Sequence, residues 1–180
     1  MELTLLLKGF VIGFSIAAPV GPIGILCIRR TLAQGRLSGL LSGLGAASAD
    51  AVYGSVAGFG LTIITGFLID QQSWLRVLGG GFLIYLGIKT FISKPTINVA
   101  ADGKQNLWGD FISTFSLTIT NPMTILSFVA IFAGLGIGSI GDDYFGVLVF
   151  IFGVFIGSMS WWSALSAAAG SLREKFNPER

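Results

Sequence analysis

One carboxylate stands apart from all other ionisable groups in this sequence. Across residues 37–69 Asp50 is the only charged side chain, with apolar and small residues on both sides. Burying a charge in such a stretch is expensive, so an acid placed there is suited to exchanging a proton or meeting a cation. On a helix Asp50 shares an arc of roughly 120° with Gly39, Gly43, Ala46, Ala47, Gly54 and Gly58. Two Gly-x-x-x-Gly units lie on that arc, and small residues let a second helix come close. Asp50 is therefore expected to face helix contacts or a cavity. Two readings stay open. It is a proton or cation site, or it is a packed carboxyl satisfied by freed backbone amides or by Tyr53 or Ser48.

The second feature is a pair of interrupted helices. Pro19 and Pro22 flank Val20-Gly21, and Asn121-Pro122 lies inside a later apolar stretch. Proline removes a backbone donor and clashes with the preceding turn, so both stretches should kink or unwind. Backbone groups freed at membrane depth are tolerated only against protein or a water-filled cavity. The two stretches align at an offset of 100: Gly9 with Gly109, Ile12 with Ile112, Pro22 with Pro122, Ile25 with Ile125, Leu26 with Leu126. Three spans separate equivalent positions, and three is odd, so the second copy would be inverted. Interrupted spans at matching places in two halves point to a transport site. The candidate pathway is thus Asp50 with Pro19, Gly21, Pro22, Asn121, Pro122 and the nearby Tyr53.

Other chemistry is excluded by what is missing. The sequence has no His and one Cys, Cys27. No Cys/His metal site, intrachain disulfide, dithiol relay or His-based catalytic unit can be built, and no cofactor is expected. Cys27 reads as a small core residue. Trp161-Trp162 and the glycines at 79–81 and 153–157 read as packing, while Trp74 and Trp108 read as interfacial anchors.

The elements that must hold these residues follow from composition. Of 180 residues, 53% are hydrophobic and 11% charged, with 26 glycines. Soluble domains carry about 25% charged residues. A soluble fold of this size cannot hide so much apolar surface, so the solvent is lipid and the fold is an all-α bundle of transmembrane helices. A net charge of +2 gives no reason to expect a nucleic-acid partner. Five apolar stretches stand out: residues 3–28, 37–69, 74–92, 107–140 and 144–169. The first begins with Glu2 and runs past any cleavage point, so it reads as a retained span, not a secretory signal. They form a single membrane domain over residues 1–180, with one repeat over about 1–105 and an incomplete one over about 106–180. Orientation follows from Lys and Arg in the connections. The first holds Arg29, Arg30 and Arg36, the second Arg76, the third Lys94 and Lys104, and the fourth only Asp142 and Asp143. The tail holds Arg173, Lys175 and Arg180. This alternation predicts a cytoplasmic C-terminus and an N-terminus outside.

The stretch from Gly13 to Pro22 resembles the first-span signature of the LysE/RhtB family of amino-acid exporters. Arg29-Arg30-Thr31-Leu32-Ala33-Gln34-Gly35, Ala46 to Asp50, Gly79 to Gly87 and Asn121-Pro122-Met123-Thr124-Ile125 fit the same pattern. The resemblance implies a multi-pass protein of the cytoplasmic membrane that exports amino acids or close derivatives by proton antiport, and not an enzyme. Its partners would be an amino acid, protons and the bilayer, with a homo-oligomer allowed. With no second buried acid in view, neutral amino acids are favoured. Family members have a sixth span after the basic tail, and the sequence stops at Arg180, where that span would begin. The alternative is therefore a non-transporting membrane structural or assembly subunit, or an inactive truncated exporter.

Overall fold

The computed structural model describes residues 2–19, 21–70, 106–121, 124–125, 127–128 and 143–176. Among them lie five helices and no strand: α1 (Glu2–Ala17), α2 (Pro22–Gln34), α3 (Arg36–Asp70), α4 (Leu107–Ile119) and α5 (Tyr144–Phe176). The apolar stretch at 74–92, with Arg76 and the glycines at 79–81, lies outside the described residues. So do Val20, Pro122, the linker up to 105 and the segment 134–141.

The first apolar stretch is two helices. α1 ends at Ala17, α2 starts at Pro22, and the two are inclined by 80°. Pro22 occupies the first helical position of α2, where a missing N–H costs nothing because that amide has no intrahelical partner. α2 then continues through Arg29 and Arg30 to Gln34, so these arginines are helical and do not sit in a connecting loop as the sequence suggests. The α2–α3 link is Gly35 alone. Its φ of 106° is open to glycine and strained for other residues, and its N–H closes the helix on the Thr31 carbonyl at 3.0 Å.

Packing is carried by glycines where backbones touch. α1 lies along α5, while α3 lies between α4 and α5. A Cβ on Gly9 or Gly13 would run into the α5 backbone at Phe150 and Val154, and one on Gly157 would meet Phe10 of α1. On α3, Gly43 sits against Trp162 and Gly45 against the α4 backbone at Phe111 and Phe115. Gly54 is different. The nearest atoms a Cβ there would meet belong to the Val154 side chain at 3.7 Å, an ordinary contact. Of the two Gly-x-x-x-Gly units on the Asp50 arc, Gly39–Gly43 is thus a true contact face. Gly45 lies off that arc, which is why the pattern missed it.

The distribution of polarity is that of a lipid-facing bundle. Leu3, Leu7 and Val11 on α1 and Phe145, Leu148, Phe152 and Ile156 on α5 are exposed, whereas Ser38, Ser42, Thr114, Thr118, Ser158 and Ser166 are buried. Small hydroxyl residues inside and large apolar ones outside suit helix association in lipid. Residues Tyr144–Arg173 are long and apolar enough to cross a membrane, with a mean hydropathy of 1.9. Two apolar clusters form the described core. Leu5, Ile12, Phe128, Phe150 and Val154 make one; Ala17, Cys27, Ala46, Ala47 and Trp162 make the other.

Candidate functional site

Both helix breaks and the buried acid meet at one cavity. Pro19, Gly21 and Pro22 from the first break, Asp50 from α3, and Thr118 and Asn121 from the second break line it, with Thr124, Ser127 and Trp162. About 60 Å³ is open to the centres of water molecules, room for several waters. The breaks share one hydrogen bond. The Gly21 carbonyl accepts from the Ile25 amide at 3.1 Å, and the Asn121 carbonyl accepts from the Ile125 amide at 3.2 Å. Each thus restarts a helix at the same offset of 100. α2 has no side-chain cap on its N-terminus, and the first turn of α2 (Pro22, Ile23, Gly24) forms part of the wall. Its amide dipoles favour negative charge there.

Asp50 is 2% exposed. Its Oδ2 accepts a hydrogen bond from Ser158 Oγ at 2.6 Å, and Ser158 Oγ in turn accepts from Trp162 Nε1 at 3.1 Å. Asp50 Oδ1 has no hydrogen-bond partner among the described residues. A buried, unsatisfied carboxylate oxygen is costly, and one beside a cavity is available to a cation or proton carried in. The acid is therefore held by α5 through one oxygen and presents the other.

Five of the seven residues singled out from sequence come together here: Asp50, Pro19, Gly21, Pro22 and Asn121. Pro122 lies outside the described residues. Tyr53 does not line the cavity; its hydroxyl donates to the Ile119 carbonyl, and its ring packs on Phe128 at 5.3 Å. Neither Tyr53 nor Ser48 holds Asp50, since Ser48 bonds back to the Leu44 carbonyl at 2.8 Å. The partner is Ser158, which nothing in the sequence marked. Thr118 and Thr124 could have been found, as they flank Asn121 by three residues on either side.

A second buried acid corrects the reading that Asp50 stands alone. Asp110, in the first turn of α4, is 5% exposed and pairs with Arg30 of α2, Nε to Oδ1 at 3.1 Å. Arg30 Nη1 also donates to Ser42 Oγ, Thr114 Oγ1 and the Asp110 carbonyl, and Nη2 to Ser113 Oγ. Ser38 Oγ donates to Asp110 Oδ2 at 2.5 Å. Its charge is spoken for, unlike that of Asp50. A sequence scan for acids at mid-span passes over Asp110 because it starts a helix.

The chain is similar to several known proteins. A profile of the family described as LysE type translocator matches residues 14–180. YcgF of Bacillus subtilis (strain 168), whose name proposes amino acid efflux, is 28% identical over 176 residues, 95% of this chain and 83% of that protein. The uncharacterized membrane protein YahN of Escherichia coli (strain K12) is 30% identical over 109 residues, 59% of this chain and 49% of YahN. The uncharacterized membrane protein YrhP of Bacillus subtilis (strain 168) is 27% identical over 117 residues, 59% of this chain and 56% of YrhP. No solved structure matches it.

Proposed function

Because the chain belongs to the LysE type translocator family, whose members are polytopic membrane transporters and not enzymes, we propose that it exports amino acids from the cytoplasm in exchange for protons. The observation that carries this reading is the unpartnered Asp50 Oδ1 at a cavity formed where both helix breaks meet. An amino acid has two charged ends. The ammonium group suits Asp50, and the carboxylate suits the uncapped N-terminus of α2 across the cavity. A proton and an ammonium group cannot both satisfy the same carboxyl oxygen. Proton and substrate therefore compete for Asp50, and competition for one site is the minimal chemistry of an antiporter. The small volume and the Trp162 wall favour small side chains over long ones, and Asp110, held by Arg30, leaves no second unpaired buried acid among the described residues for a cationic side chain.

Alternating access needs two halves that move against each other. The matched restarts at Gly21 and Asn121 support an inverted repeat within one membrane domain. So does the packing, in which α1 lies on α5 and α4 on α3. With spans 1 and 4 as equivalents, and spans 2 and 5, these are the same contact made twice. The charge alternation supports an external N-terminus and a cytoplasmic C-terminus.

The test is efflux of a panel of labelled amino acids from cells overproducing the chain. At least one small neutral amino acid should leave faster than from control cells. If none does, with the protein shown to be in the membrane, the chain is a structural subunit and not a carrier.

A further inference from the structure

We infer that the Arg30–Asp110 pair is a latch that seals one side of the cavity and must open for a solute to pass. The inference rests on the transport reading, and it concerns residues well removed from Asp50. The pair lies at one level of the fold. Arg30 is eight residues beyond Pro22 on α2, Ser42 eight before Asp50 on α3, and Asp110 eight before Thr118 on α4. Each interval is about 12 Å at 1.5 Å per residue. The network therefore spans three helices at a common depth on one side of the cavity.

The seal is tight. Ser38, Ser42 and Thr114 are fully buried around it, and Asp110 is 5% exposed. Both carboxylate oxygens of Asp110 and three guanidinium nitrogens of Arg30 are engaged. It is also separable. α2 touches α4 only slightly apart from this network, whereas α2 packs well on α3. α2 is joined to α1 through the break at Pro19 to Gly21, across which the chain already turns by 80°. Parting Arg30 from Asp110 moves α2 off α4, and the packing of α2 on α3 and α5, with Cys27 among Ala46, Ala47 and Trp162, must slide or travel with it. Apolar clusters lie against the cavity as well: Ala17 and Trp162, which line it, pack with Cys27, Ala46 and Ala47, and Ile16, which also lines it, packs against Leu5, Ile12, Phe128, Phe150 and Val154. A charged, hydroxyl-lined contact can exchange its bonds for water as it opens; an apolar one cannot.

The test reads access to the cavity directly. Thr118→Cys is introduced into a Cys27→Ser chain, and its reaction with a charged, membrane-impermeant methanethiosulfonate is timed in sealed vesicles of both orientations. Arg30→Gln/Asp110→Asn is then compared with the parental pair. Removing both charges avoids the uncompensated buried charge that either single change would leave. The neutral pair should react about tenfold faster from the face that carries Arg30, with no such gain from the opposite face. Arg30→Lys, which keeps the charge and loses the fork, should give an intermediate rate. An unchanged rate in the neutral pair, equal gains from both faces, or no reaction from either face would overturn the latch. Labelling needs no substrate, so failure of the latch is distinguishable from failure of the transport reading. A latch that opens as described in a chain that moves no amino acid would count against transport alone.

Discussion

At the residue scale the account turns on which polar atoms are satisfied. Asp50 gives one oxygen to Ser158 and keeps the other for the cavity, so Asp50→Asn should preserve the shape and remove the charge that couples. Membrane level should stay near parental while efflux against a gradient is lost; equal uphill efflux at equal protein level would make Asp50 a packing residue. Ser158→Ala removes the donor to Asp50 and the acceptor of the Trp162 indole N–H. Two buried polar groups lose a partner, so detergent-solubilised protein should be destabilised by about 1–3 kcal/mol, read as a lower unfolding midpoint. Tyr53→Phe is the contrasting case. It deletes one bond to the Ile119 carbonyl away from the cavity, so it should cost about 1 kcal/mol and leave efflux nearly unchanged. Asp50 was legible in the sequence because a charge in an apolar run has few explanations. Ser158 was not, because a serine in a membrane helix is common and its partner is 108 residues away.

At the scale of elements, proline and glycine carry the information. The helix breaks could be read directly, since the loss of a donor at Pro22 acts locally whatever surrounds it. The length of α2 could not, because Arg29 and Arg30 look like loop charges until Asp110 is seen to receive Arg30. Glycine contacts divide in the same way. Gly13 and Gly54 are indistinguishable by type, yet one faces backbone and the other an ordinary gap. Gly13→Leu should force α1 from α5 and cost upwards of about 3 kcal/mol, seen as little folded protein by size-exclusion chromatography. Gly54→Ala should be tolerated or gain up to about 1 kcal/mol of helix stability. Gly13→Leu protein that elutes as the parent does would mean the α1–α5 contact is wrongly placed.

At the scale of the whole molecule, composition announces lipid as the solvent, and the structure agrees by burying serines and threonines while exposing leucines and phenylalanines. What composition leaves open is which helix lies on which, since long apolar helices fit one another in many ways; only small residues facing backbone select the pairing. That pairing brings two breaks 100 residues apart to one carboxylate, and the central claim is that amino acids cross there in exchange for protons. The most direct test uses the purified chain in proteoliposomes loaded with labelled small neutral amino acids, one at a time, with a pH difference imposed across the membrane. The account predicts that at least one amino acid moves against its own gradient, and that this stops both when a protonophore collapses the pH difference and in Asp50→Asn. If every amino acid moves no faster than in protein-free liposomes, or uphill movement survives collapse of the pH difference, the claim is contradicted.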